Sequence, residues 1–123
     1  MSVKIDIKEK FHVITILESR LSANMTEVLK QTFAGLTQNE VKNIILNLEH
    51  VSEIDIDAAN MLCSLQQSSY ENNHSLVFCC LDKKLEKWLD EQELLEIMNY
   101  TPTESEAWDI IQMEEIEREM FED

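Results

Sequence analysis

Residues 43–62 read NIILNLEHVSEIDIDAANML, and three local signals follow one another within them. NIILNL (43–48) is short, continuous and apolar, the composition of a strand buried on both faces. EHVSEIDID then turns polar and sets two carboxylates, Asp55 and Asp57, in a D-x-D spacing. From residue 57 to 70 the positions Ala58, Met61, Leu62, Leu65 and Ser69 return at helical intervals. The stretch predicts a strand, a loop and a helix opening near residue 57, which is half of a βαβ unit. In open α/β sheets, sites form where strands end and the next helices begin. Residues 49–60 are therefore the candidate functional segment.

Outward from this stretch the chain repeats the same grammar. Val3, Ile5 and Ile7 alternate with Lys4, Asp6 and Lys8, and FHVITIL (11–17) follows after Glu9 and Lys10. This predicts a hairpin of one edge strand and one buried strand. Ser22 is placed to cap a helix over 24–35, whose apolar face holds Met25, Val28, Leu29, Thr32, Phe33 and Leu36. Gly35, the only glycine, falls where that helix should end. SLVFCCL (75–81) predicts a further buried strand, with Cys79 and Cys80 on alternate faces and both poorly accessible. Residues 81–96 predict a helix with Leu85, Trp88 and Leu89 inward, and IMNY (97–100) a short edge strand. Thr103 and Glu106 form a capping-box pattern opening a last helix, with Ala107, Ile110 and Ile111 inward. Strands alternating with helices imply right-handed crossovers. The expected fold class is α/β: an N-terminal hairpin, then parallel βαβ units, with about four helices packing a mixed sheet.

Composition narrows the function classes. The 123 residues hold 10 Lys and Arg against 25 Asp and Glu, a formal charge of −15, with 44% hydrophobic residues. A chain of this length fits one domain with a real core, and the charge opposes nucleic acid. There is no apolar run of membrane-spanning length and no secretory h-region at the start. Three cysteines without metal-ligand spacing suit a reducing compartment. Together these predict a cytoplasmic protein without cofactor or metal. Residues 82–123 carry 15 of the 25 acids, and the last twelve, QMEEIEREMFED, hold six acids and one Arg. We divide the chain at this point, into a domain over 1–111 and an acidic helix end or tail over 112–123. The tail is read either as solvated or as a docking element for a basic partner surface.

Asp55 and Asp57 admit several readings. One of them can cap the helix. A D-x-D after an apolar strand can also hold Mg²⁺ in an Asp-dependent phosphohydrolase, but no downstream acid pair or phosphate-gripping Lys completes that set. His12, His50 and His74 are scattered, and with one glycine a phosphate-cradling loop is nearly excluded. Ser52 is a further hydroxyl next to the cluster.

A third reading comes from resemblance. The run is similar to the signature of the STAS, or anti-sigma factor antagonist, family, an apolar strand followed by L-x-x-V-x-x-I-D-S-S-G-L-x-x-L. Leu48, Val51, Ile54, Asp55 and Leu62 match in register. S-R-L-S-A-N (19–24) resembles the family's G-R-L-D-A-x turn, and the likeness extends over roughly 3–111. The resemblance implies a non-catalytic signalling module that binds an anti-sigma factor or serine kinase, as monomer or weak dimer and without entering a membrane. It also implies a contact surface of Ser22, Asn24, Met25, Asp55, Ile56, Ala58, Asn60 and Met61. The family's phosphorylatable Ser falls on Asp57, the Ser before it on Ile56 and its Gly on Ala58. A carboxylate at Asp57 would be a permanent, weaker version of the phosphorylated charge. An accessory subunit of a membrane transport system is the alternative implication, since STAS-like domains serve there too.

Overall fold

The alternating segment and the β-branched run pair as antiparallel strands β1 (Val3–Ile7) and β2 (His12–Ile16), with Val3 opposite Ile16 and Ile7 opposite His12. In the computed structural model, which describes residues 1–38 and 41–121, the later strands of this sheet pair in parallel. They are β4 (Asn43–Asn47), β6 (Ser75–Cys79) and β7 (Tyr100–Thr101), in the spatial order β1-β2-β4-β6-β7. Two further two-residue strands, β3 (Arg20–Leu21) and β5 (Glu53–Ile54), pair in parallel beside it. Among the described residues there are four α-helices: α1 (Ala23–Leu36), α2 (Ile56–Glu71), α3 (Lys83–Glu91) and α4 (Glu104–Phe121).

The period-2 geometry of the central strands divides the core into two layers. Ile14, Ile16, Ile44, Leu46, Leu76 and Phe78 join Leu29 and Phe33 of α1, Leu62 of α2 and Leu85 and Leu89 of α3. Val13, Ile45, Val77 and Cys79 face the other way, onto Ala107 and Ile111 of α4. Phe11 stacks on Trp108 at the rim of this second layer, with ring centroids 4.6 Å apart. β2, β4 and β6 are buried along their whole lengths, as their continuous apolar runs require, and β1 is the edge.

Several sequence expectations shift. The helix expected over 81–96 stops at Glu91, because Glu93 turns left-handed at φ 61° and the Leu94 amide donates back to the Leu89 carbonyl. Residues 95–97 form a 3₁₀ turn, so the strand expected over 97–100 is instead Tyr100–Thr101, at the sheet edge. Cys80 also turns left-handed, at φ 64°. This folds its sulfur back to 3.5 Å from that of Cys79, so the two thiols share one side instead of alternating. Cys79 is fully buried, and burial foremost, with the neighbouring Cys80 thiol, pushes its pKa well above the ordinary thiol range.

Gly35 does not cap α1. The helix continues through Leu36, and no glycine has positive φ. A Cβ at Gly35 would meet nothing within 4 Å. Gly35→Ala should therefore stabilise the protein by about 0.5–1 kcal/mol through helix propensity alone. Urea unfolding checks this as a raised midpoint at unchanged slope, and a lowered midpoint would contradict the helical placement.

Candidate functional site

The loop leaving β4 is organised by backbone bonds before any side chain acts. The Val51 amide donates to the Leu48 carbonyl in a tight turn, and Val51 and Leu48 are both buried. The Ser19 carbonyl then accepts from the Ser52 amide at 2.8 Å, the Glu53 amide at 3.2 Å and the Ser52 hydroxyl at 3.0 Å. The Asp55 amide donates to the Leu21 carbonyl at 3.1 Å. These bonds lay the segment before α2 alongside the segment before α1, with Leu21 and Ile54 buried beneath. The two helices consequently start side by side.

Asp55 joins those starts. It is the N-cap of α2, and its Oδ1 accepts the Ala58 amide at 2.9 Å. Its Oδ2 accepts the Ala23 amide, the first of α1, at 3.0 Å. Ser22 is the N-cap residue of α1 by position, but its side chain makes no capping bond; the carboxylate from the neighbouring helix supplies it. Of the two aspartates, Asp55 is the cap, and Asp57 lies two residues further on in the first turn of α2. The Ala58 and Ala23 amides hold the Asp55 carboxyl below its ordinary value of 3.8, with a smaller contribution from Arg20.

A carboxyl whose folded pKa is depressed contributes stability that is present above its unfolded value and lost as pH falls through the folded one. Asp55→Asn should therefore lower stability at neutral pH. It should also flatten the loss of stability on going from about pH 5 to about pH 3, as pH falls below the ordinary carboxyl value of 3.8 toward the lower folded one. Urea denaturation of both proteins at the two pH values gives the comparison, and parallel losses would show that the carboxylate does not bridge the helices in solution.

The proposed contact residues divide by exposure. Asn24, Ile56, Asp57 and Asn60 are exposed around the paired helix starts, and Ile56 presents 43% of its surface. Ser22, Met25 and Asp55 are half-buried between them. Ala58 and Met61 turn inward into the core under the platform. Their small and flexible side chains let α2 approach the sheet. Sequence reasoning did not reach the Ser19 carbonyl or the Ala23 amide, because main-chain groups leave no residue signature. Ser52 spends its hydroxyl on Ser19, and His50 lies 3.5 Å from Glu49 on the exposed rim. Among the described residues, no three His, Cys, Asp or Glu side chains converge as a metal site, and no helix is long and apolar enough to cross a membrane.

The architecture is that of an α/β module with a mixed sheet, an antiparallel hairpin followed by parallel strands, and four helices. The chain belongs to the STAS domain family, whose model matches residues 2–107. Similar solved structures include a putative anti-sigma factor antagonist from Thermotoga maritima, at 19% identity over 89% of this chain and 94% of that one, with a TM-score of 0.74. The anti-sigma factor antagonist SpoIIAA from Bacillus, in its unphosphorylated form, matches at 18% identity over 90% and 96%, with a TM-score of 0.69. Its phosphorylated form matches with a TM-score of 0.63. An anti-sigma factor antagonist from Mycobacterium paratuberculosis matches at 10% identity over 90% and 93%, with a TM-score of 0.71.

Proposed function

We propose that this STAS domain is a non-catalytic binding module that docks an anti-sigma factor or serine-kinase partner on the platform formed by the starts of α1 and α2. The observation that carries the reading is the double engagement of Asp55, which fixes both helix starts as one rigid surface. A preorganised surface loses less conformational freedom on binding, which favours affinity. Around it stand Asn24, Ile56, Asp57 and Asn60, one apolar anchor among polar groups. Asp57 holds the position that the family motif gives to a phosphorylatable Ser, so the platform carries a charge that no kinase adds and no phosphatase removes. The exposed carboxylate has no side-chain partner among the bonds of the described residues, whereas both oxygens of Asp55 are occupied. This division of labour supports a recognition role for Asp57 and a structural one for Asp55.

The test is a calorimetric titration with anti-sigma factor and serine-kinase candidates encoded beside this chain. Ile56→Arg places a bulky charge at the exposed first position of α2 and should weaken binding at least tenfold with an unchanged Tm. Equal affinity of wild type and variant would remove the platform from the interface.

A further inference from the structure

An ordinary surface helix turns its apolar residues toward the core and its polar residues toward water. The first half of α4 obeys, with Ala107 and Ile111 fully buried against the sheet. The second half reverses the rule. Its inward contacts are polar: Glu114 accepts from the Asn99 amide group at 3.0 Å, Glu115 from that of Asn43 at 3.2 Å, and Arg118 donates to the Ser75 hydroxyl at 3.0 Å. Three apolar side chains point out, with Met113 and Ile116 each 56% exposed and Met120 73%; Phe121, also exposed, lines a cleft with Gln67 and Tyr70 of α2. Residues 113, 116 and 120 are spaced three and four apart, so they form one stripe along the helix. The stripe lies opposite Ala107 and Ile111, and the polar bonds beneath keep it facing outward.

Charge decides what can cover it. Asp109, Glu117 and Glu119 are exposed on the same half-cylinder and make no ion pair among the described residues. A second copy of the chain carries the same −15 charge and the same acidic rim, and an anionic lipid surface has the same sign. A cationic complement satisfies both features at once. Met side chains suit such a groove because they adapt to irregular apolar partners.

We propose that the outward face of α4, formed by Met113, Ile116 and Met120, docks a basic amphipathic helix from a partner protein. The partner presents apolar residues at i, i+3 or i+4, and i+7 against the stripe, and Lys or Arg against the flanking acids. This surface belongs to the other face of the sheet from α1 and α2, so it is separate from the platform around Asp57.

A fluorescent synthetic helix with Leu at those spacings and Lys and Arg elsewhere is the probe. A scrambled peptide of identical composition is its control. The full chain should bind the ordered peptide at least tenfold tighter than the scrambled one, and salt should weaken that binding. The double variant I116S/M120S keeps every charge and removes only exposed apolar surface, so its Tm should hold while its affinity falls to that of the scrambled control. Ile56→Arg should bind the peptide as the wild type does. Equal binding of the two peptides, or full binding by the double variant, would overturn the proposal. Sedimentation showing a wild-type dimer that the double variant loses would overturn it in favour of a second copy. Partition onto phosphatidylserine vesicles that the double variant loses would do so in favour of lipid.

Discussion

Phe78→Ala should cost about 3–5 kcal/mol of unfolding free energy, the usual loss when a large buried aromatic ring is deleted. Phe78 is fully buried in β6, which lies between β4 and β7 with helices packed on both faces. Its ring belongs to the layer that holds Leu62 of α2 and Leu85 and Leu89 of α3. Two helices therefore border the cavity, and a strand paired on both sides cannot shift to fill it. Against a typical total of about 5–15 kcal/mol, such a loss leaves a protein that unfolds well below the wild-type temperature. Phe78→Leu keeps most of the volume and should cost less than half as much. Urea denaturation monitored through Trp88 and Trp108 measures both. A loss under about 1 kcal/mol for the alanine variant would mean that the helices close over the gap, and that the two layers are less tightly joined than the burial of β6 implies.

The elements legible in the sequence are those whose burial imposes a period. The unbroken runs around Ile14, Ile45 and Val77 mark strands covered on both faces, whereas the alternation at Val3, Ile5 and Ile7 marks an edge strand of which only Val3 packs on the core, Ile5 and Ile7 staying exposed. The capping pattern at Thr103 is also realised, with the Glu106 amide donating to the Thr103 hydroxyl and that hydroxyl donating to the Glu106 carboxylate. What escaped has no period to read. β3 and β5 are two residues each and owe their pairing to Leu21 and Ile54 meeting in the folded chain. Left-handed turns at Cys80 and Glu93 occupy residue types that carry no turn signal, whereas the one at Asn73 does. Gly35 misled for the converse reason: the sole glycine marks a helix end by habit, yet nothing in its conformation requires a glycine. At the site, the motif located both aspartates, but the division between them rests on the Ala23 amide, 32 residues away in the chain.

Asp57→Ser is expected to leave the fold intact and to change partner affinity by roughly 1–3 kcal/mol. Asp57 is exposed in the first turn of α2 and is not its cap, so the structural cost is limited to its attraction to the helix N-terminus, under about 1 kcal/mol. The Asp55 bonds that hold the platform are untouched. Any large effect on binding must therefore come from the interface. If the charge at Asp57 opposes a contact that has to be desolvated, removing it tightens the complex; if the partner presents a Lys or Arg there, removing it weakens the complex and lowers its salt sensitivity. Treating the Ser variant with a partner kinase adds a second reading, because a phosphoserine carries about −1.5 to −2 charges with three acceptor oxygens and should overshoot the wild-type effect in the same direction. Calorimetry on the three forms against one identified partner resolves the sign. Identical affinities for all three would leave Asp57 as a favourable charge at a helix start and would take it out of recognition altogether.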